Sequence, residues 1–309
     1  MKVGLVGCGF ICHQHLRALR RLPAVDVIGL CDRQLQLAQS VANTYGVSQA
    51  YESMDHLLEA ARVDALHILT PPQSHCRLAV QALEAGCHVL VEKPMAMNEA
   101  EAEEMCEASR RTGRRLGVAH NYLFVPALLN ARSVIERGSL GEVISADIYW
   151  RTSTYDPACR AQARLWMQAL PGGVFQEVMP HLVYVTAALM GRLTPTALRV
   201  AGGDIGQATE LSVLLSTDRG PTTMTLSVRS NPVRKVVRVN GTRGTLEIDL
   251  ATSVLVHTAS SADRIIDRTR VNLSTARQIT AGTAANALRS VLGSLPRSHE
   301  TLISRFYAA

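Results

Sequence analysis

Along roughly the first 120 residues, short apolar runs alternate with stretches whose apolar positions recur at helical spacing. MKVGLVG is an apolar run ending in glycine, and HQHLRALRRL follows with Leu16, Leu19 and Leu22 at helical spacing. VDVIGLCD reads as a second buried strand ending at Asp32, and LQLAQSVANTYG as a helix stopped by Gly46. VDALHILTPP is a strand broken by two prolines, SHCRLAVQALEAG a helix with a glycine stop, and HVLVEKP a strand ended by Pro94. NEAEAEEMCEASRRTG reads as a helix capped by Asn98, acidic early and basic late, and LGVAHNY begins another strand. Strands alternating with helices predict a parallel sheet covered on both faces.

The pattern then changes. VISADIYW, ELSVLLST, TTMTLSVRS, RKVVRVNG, GTLEIDL and SVLVHT are short segments, several of which alternate apolar and polar residues. The turns STDRGP and NGTRG are short and contain glycine, as hairpins require. This predicts an antiparallel sheet with one open face. The boundary is expected before Pro126, giving domains 1–124 and 125–309; residues 258–290 are polar and weakly periodic and predict no clear element.

A chain of 309 residues is long enough for two domains and a large core. No apolar run reaches the roughly 20 residues that span a bilayer, and the N-terminal run reads as a strand without a signal-peptide cleavage site. The seven cysteines, at 8, 12, 31, 76, 87, 106 and 159, contain no C-x-x-C pair and suit reduced thiols. A cytoplasmic protein with no membrane partner is the expectation. The net charge of +6 is modest, and the basic run SRRTGRR reads as a solvated helix end. With few aromatic residues (Trp 2, Tyr 7, Phe 4) and no basic-aromatic interleaving, nucleic-acid binding is not expected.

The stretch GCGFICHQH has two readings. Cys8, Cys12, His13 and His15 within nine residues resemble a metal site. On a first helical turn, however, Cys12 and His13 point apart, Cys8 lies in the glycine turn, and no second cluster completes four ligands, so no metal is expected. The alternative is a phosphate-binding turn, Gly7-x-Gly9-x-x-Cys12, between a strand and a helix. Gly7 permits the tight turn, Gly9 lets backbone approach a pyrophosphate, and the helix N-terminus supplies N–H donors. Cys12 is small enough for the third position. Asp32, about twenty residues on, is placed to accept from an adenosine ribose, which favours NAD; Arg33 beside it leaves NADP open.

Beyond these, the sequence resembles the Gfo/Idh/MocA oxidoreductases, related to glucose-fructose oxidoreductase and inositol dehydrogenase. The resemblance rests on GCGFICHQHLRAL including His15, on TPPQSHCRLAVQALEAG, and above all on EKP at 92–94. FVPALLNARSVIERGSLGEV, GGVFQEVMPH and NGTRGTLEID follow in family order, the second of these imperfectly. It implies a Rossmann doubly wound parallel sheet followed by an open-faced, mostly antiparallel α+β domain. It also implies a dinucleotide, NAD or NADP, across strand C-termini and a polyol-like substrate between the domains. The family pairs subunits through the open sheet face, so a homo-oligomer, dimer or tetramer, is expected; such a face would otherwise be an exposed apolar patch.

By this resemblance the cofactor contacts are Gly7, Gly9, Phe10, Ile11, Cys12, Asp32 and Arg33 in the first half, then Thr70, Pro71, Pro72, His75, Glu92, Lys93 and Asn121. Lys93, Glu177 and His181 carry over as catalytic candidates. Oxidising a secondary alcohol releases a hydride to nicotinamide and a proton to a base. Imidazole suits that base near neutral pH, so His181 takes the role. The Lys93 ammonium would orient the reacting oxygen and stabilise developing charge. Glu177, four residues before His181, shares its face if the segment is helical, although Pro180 would cost a backbone bond there. The family has Asp where Glu177 stands, Gly at Met179, Asp at Tyr184 and Arg at Tyr122. Tyr122, Trp150, Arg151 and Trp166 are expected near the substrate, together with Lys93, Asn121, Glu177 and His181. His13, His67, His88 and His120 read as structural.

The leading expectation is an NAD(P)-dependent dehydrogenase or reductase acting on a secondary alcohol or ketone of a sugar, cyclitol or similar polyol. One alternative holds NAD tightly and uses it transiently for elimination or epimerisation. The other, motivated by residues 177, 179 and 184, is a non-catalytic dinucleotide-binding regulator. The chain also ends earlier than is usual for the family, and Phe306 and Tyr307 near that end call for a partner surface.

Overall fold

Residues 1–118 alternate strand and helix as expected. In the computed structural model, which describes residues 1–153, 167, 170–203, 208–259, 264–292 and 297–308, the chain divides into two units. The first holds residues 1–121 and 299–309, the second residues 122–298.

In the first unit, β1 (Lys2–Val6), β2 (Asp26–Cys31), β3 (Ala50–Tyr51), β4 (Ala65–Ile68), β5 (His88–Val91) and β6 (Leu116–Val118) form one parallel sheet in the order β3-β2-β1-β4-β5-β6. The strand interiors are mostly apolar because helices cover both faces: Leu5, Leu30, Leu66, Ile68 and Val89 are all fully buried. The helices are α1 (Phe10–Leu19), α2 (Leu35–Tyr45), α3 (Met54–Ala60), α4 (His75–Glu84) and α5 (Glu99–Thr112). Asn98 caps α5 by accepting from the Glu101 N–H at 2.9 Å, and Gly46 and Gly113 end α2 and α5 in left-handed backbone.

Strand register sets up the site. Val6 lies opposite Cys31 and Ile68, Ile68 opposite Val91, and Val91 opposite Val118. The residues that follow this row, Gly7, Asp32, Leu69, Glu92 and Ala119, therefore leave the sheet along one edge, where α/β sheets bind ligands.

The second unit contains α6 (Pro126–Glu136), β7 (Val143–Ser153), α7 (Gly173–Met190), β8 (Leu193–Ala201), β9 (Glu210–Thr217), β10 (Thr222–Ser227), β11 (Arg229–Gly241), β12 (Gly244–Asp249), β13 (Val254–Ala259) and α8 (Ile265–Val291). Its sheet runs β13-β12-β11-β7-β10-β9-β8, antiparallel except between β7 and β10. One face packs on α6 and α7 through Leu128, Ile148, Leu182, Val185, Leu246 and Ile248.

The other face corrects an expectation. Ser145, Asp147, Thr223, Arg238, Asn240 and Glu247 pair with one another across the strands, as in Thr223 to Asp147 at 2.6 Å and Arg238 to Glu247 at 2.6 Å. It is a polar surface, so the argument that an apolar patch forces subunits together there does not hold.

Three further expectations change. The boundary falls after Asn121 rather than after residue 124, because Asn121 is buried and its N–H bonds Ala119 O, whereas Tyr122 packs into the second unit. The C-terminal helix α9 (Ser298–Ala308) returns to the first unit. There Phe306 fills the space beside Gly117, and Tyr307 hydrogen-bonds His67 at 2.8 Å. The partner surface these aromatics called for is the first unit itself. Residues 258–290, which predicted no element, hold most of the long helix α8.

Candidate active site

Gly7 has φ +99°, and a Cβ there would lie 2.8 Å from Leu69 C, so the turn demands glycine for conformation and for space. Gly9 caps α1, and a Cβ on it would meet nothing of the protein within 4 Å. Packing does not require glycine at that position, and the open space leaves the helix N-terminus accessible to close approach of a ligand. Asp32 accepts from Cys8 N–H and Gln34 N–H, both at 2.9 Å, which fixes its carboxylate beside the turn. These features fit a dinucleotide: glycine backbone and α1 N–H groups for the pyrophosphate, Asp32 for the ribose.

The cysteine and histidine side chains of the opening stretch diverge. Cys8 is buried with Sγ towards Cys31 O, not against a ligand as its place in the turn suggested. The hydrogen bond with Cys12, followed by burial, pushes its thiol far above the ordinary range. Cys12 is fully buried, consistent with a small residue where helix meets strand, and His13 bonds the Tyr45 hydroxyl at 3.2 Å. Phe10 stands exposed at the start of α1, next to partly buried Ile11, and Arg33 is exposed beside Asp32.

His15 joins a buried chain of groups. Its Nε2 lies 3.1 Å from Glu92 Oε1 and its Nδ1 lies 2.8 Å from His67 Nδ1; His67 Nε2 lies 2.8 Å from the Tyr307 hydroxyl. A carboxylate only accepts, so His15 donates through Nε2. Glu92 Oε2 accepts the Lys93 N–H at 3.2 Å. Burial pushes the Glu92 carboxyl up, but the His15 hydrogen bond and the charges of His15, Lys93 and His299 outweigh it and hold it below the ordinary range. Burial also keeps His67 far below its ordinary range, and burial with His15 pulls His299 down to about 4. His15, Glu92 and His299 bring ligand atoms within 4.8 Å of one another, yet both His15 nitrogens already serve this chain. The network seats the turn at Lys93, whose bond to Pro94 is cis.

His75 has a different part from a cofactor contact. It is fully buried, with Nε2 2.7 Å from Thr70 O and Nδ1 2.9 Å from Pro94 O. Its side chain ties the two strand-end loops together. Burial pulls it below the ordinary range despite those carbonyls, and a neutral ring can donate to only one of them. Thr70 Oγ1 bonds Ser74 Oγ at 2.7 Å, Pro71 is exposed and Pro72 buried.

In the second unit, α7 runs unbroken through Pro180, so Glu177 and His181 do share a face. His181 is held on three sides. Trp150 stacks on it with centroids 5.6 Å apart, Tyr122 meets it edge-on at 4.9 Å, and the Tyr184 hydroxyl lies 2.7 Å from Nδ1. The same hydroxyl accepts the Tyr122 N–H at 3.2 Å. Lys235 completes the cluster: its Nζ donates to the Tyr122 hydroxyl at 2.5 Å and sits 4.7 Å from the Trp150 ring centre. The sequence did not single out Lys235. Its signal lies in strand register, which sets it opposite Trp150.

Arg151 is a correction. Successive strand residues face opposite ways, and with Trp150 buried in the cluster, Arg151 lies on the polar face with its guanidinium 5.4 Å from the Tyr149 ring. Trp166 lies outside the described residues.

Residues 1–120 match the model of the oxidoreductase family with an NAD-binding Rossmann fold, and residues 128–247 match the GFO/IDH/MocA C-terminal domain. The chain belongs to the Gfo/Idh/MocA oxidoreductase family. D-apiose dehydrogenase of Paraburkholderia graminis is 25% identical over 83% of this chain and 69% of its own length. D-glucoside 3-dehydrogenase of Escherichia coli is 30% identical over 46% of this chain, a match spanning only 41% of that relative. Among solved structures, an NAD binding oxidoreductase from Klebsiella pneumoniae superposes with a TM-score of 0.75 at 26% identity, over 85% of this chain and 77% of that one. A levoglucosan dehydrogenase in complex with NADH shares the fold, with a TM-score of 0.77 at 20% identity, over 86% of this chain and 77% of that one. The first unit of this family member is thus an NAD-binding Rossmann domain.

Proposed function

We propose that the protein is an NAD-dependent dehydrogenase or reductase acting on a secondary alcohol or ketone of a sugar, cyclitol or similar polyol. Relatives named for apiose, glucoside and glucose-6-phosphate oxidation support the substrate class. The observation that carries the reading is His181, fixed by Trp150, Tyr122 and a 2.7 Å hydrogen bond between Nδ1 and Tyr184.

Bound dinucleotide supplies the hydride acceptor or donor; the residues of this chain handle the proton and the charge. With Nδ1–H donating to Tyr184, Nε2 of His181 is the nitrogen that takes the hydroxyl proton as the alcohol is oxidised and returns it on reduction. Tyr184 stands where the family resemblance implies an acid, and its hydroxyl can accept from Nδ1–H in the tautomer that makes Nε2 the base. Glu177, on the same helical face, hydrogen-bonds a substrate hydroxyl. Lys93, on a turn anchored by Glu92, stabilises negative charge developing on the reacting oxygen. Asp32 favours NAD over NADP by repelling a 2′-phosphate, and Asn121 adds a polar group at the end of β6. We place the protein in the cytoplasm, and any homo-oligomer formed through the sheet face is a polar, hydrogen-bonded one.

The test has two arms. Protein stripped of nucleotide is titrated with NADH and NADPH by fluorescence, and NADH is expected to bind more tightly. Lys93→Met is expected to keep that affinity and to lower polyol turnover about a thousandfold. Near-normal turnover removes Lys93 from the mechanism, and binding of neither nucleotide removes the enzyme reading.

A further inference from the structure

The exposed apolar surface expected on the sheet is instead on α8. This helix has no buried residue, and Ile265, Ile266, Leu273, Leu288, Val291 and the adjoining Leu292 are between 53% and 85% exposed. Its amphipathicity is inverted. The side against β13 is polar or small: the Gln278 amide pairs with His257 N–H and O at 2.9 and 3.0 Å, Gly282 lies against Val254, and Asn286 donates to Thr252 O and Ser253 O at 2.9 and 3.0 Å. The side turned away carries the hydrocarbon. Seven residues are about two turns and eighteen about five, so Ile266, Leu273, Ala284 and Val291 fall on one line along the outward face. Exposed Arg270 and Arg277 lie beside this line on the helix, whereas Arg264, Arg268 and Arg289 lie towards the opposite side; the one acid of the helix, Asp267, is shared by Arg264 at 2.9 Å and Arg270 at 3.6 Å.

A second copy of the chain would bring the same arginines to the same face, and like charges oppose that pairing. An anionic lipid surface complements both features at once: apolar side chains enter the acyl boundary while arginine stems reach back to the phosphates. We propose that the outward face of α8 docks the protein on an anionic bilayer, with the helix lying in the membrane plane. Among the described residues no helix is long and apolar enough to cross a membrane. The sequence-based expectation of no membrane partner rested on that criterion, which does not bear on a helix lying flat.

Full-length protein is sedimented with phosphatidylcholine vesicles, with and without phosphatidylglycerol. Binding is expected only to the anionic vesicles and is expected to weaken as salt rises. Arg270→Gln with Arg277→Gln is expected to lower vesicle affinity at least about tenfold. Leu273→Asn with Val291→Asn is expected to do the same, with the melting temperature unchanged because these side chains are exposed. Failure of the wild-type protein to bind anionic vesicles overturns the proposal. So does binding that neither pair of substitutions weakens. A concentration-dependent dimer abolished by the Leu273 and Val291 substitutions, with no vesicle binding, overturns it in favour of a second copy.

Discussion

The two units build their functional ends in opposite ways. In the first, Gly7, Asp32, Thr70 and Glu92 each lie one or two residues beyond a strand end, and parallel register alone lines them up. In the second, Tyr122, Trp150, His181, Tyr184 and Lys235 come from a short turn, two strands and a helix, and only tertiary packing brings them together. A site made by the backbone at strand ends is stiff and tolerates little change in glycine. A site made by converging side chains is tuned by substitution, and most of the departures that the family resemblance implies, at Tyr122, Glu177, Met179 and Tyr184, fall in this unit.

The sharpest break in this comparison comes from the two glycines. Gly7→Ala places a Cβ 2.8 Å from backbone in a left-handed conformation, and is expected to cost about 3 kcal/mol or more of stability in urea unfolding. Gly9→Ala enters open space at φ −71° and is expected to leave stability within about 0.5 kcal/mol while weakening NADH binding at least about tenfold. Equal losses of stability in the two variants would mean that both glycines serve the fold.

In the second unit the corresponding change is Tyr184→Phe. It removes the partner of His181 Nδ1 and leaves the ring's packing in place. Turnover is expected to fall about a hundredfold, equivalent to about 2.7 kcal/mol, with the acid limb of the pH–rate profile displaced. An unchanged profile would remove Tyr184 from the orientation of His181. NADH affinity should not move, since the residue belongs to the other unit.

This difference also explains what the sequence disclosed. The Rossmann strands, the glycine turn, Asp32 and the EKP turn were legible because each is local: an apolar run, its terminating residue and the helix that follows. The placement of His181 and Glu177 on one helical face followed from their spacing of four. Lys235 was not legible, since nothing within RKVVRVNG says which residue of β7 it will face. Arg151 was misplaced because neighbouring residues on a strand face opposite ways and sequence alone does not say which face is covered. The long helix α8 escaped notice because its polar side faces the protein, the reverse of the usual pattern. The place of α9 depends on contacts made more than 190 residues away, as in Arg115 to Phe306 O.

That returning helix provides the next test. Tyr307→Phe deletes the hydroxyl bonded to His67 Nε2 and leaves a buried ring nitrogen short of a partner. The expected cost is about 1–3 kcal/mol, read as a lower urea midpoint. Because the chain continues through His15 and Glu92 to the Lys93 turn, turnover should fall by more than NADH affinity does.

The smallest expected effect separates the units by pH. His67 and His299 belong to the first unit, and burial depresses both imidazoles, His299 to about 4. Near pH 7 they are neutral in the folded chain and nearly so in the unfolded one. As pH falls below about 6.5, the unfolded chain takes up protons that the folded chain refuses, so stability present at neutral pH is lost on acidification. Between pH 6 and pH 4 each group should cost up to about 1.4 kcal/mol per pH unit, less for whatever exposure it retains. His299→Gln is expected to remove about half of this slope while leaving the neutral-pH midpoint nearly unchanged. Trp150 lies in the second unit, so its fluorescence reports that unit, whereas circular dichroism reports both. If the acid slope resides in the first unit, the two probes separate below about pH 6 and rejoin at pH 7. Coincident transitions at every pH would mean that the units unfold as one, with the buried histidines acting on the stability of the whole chain.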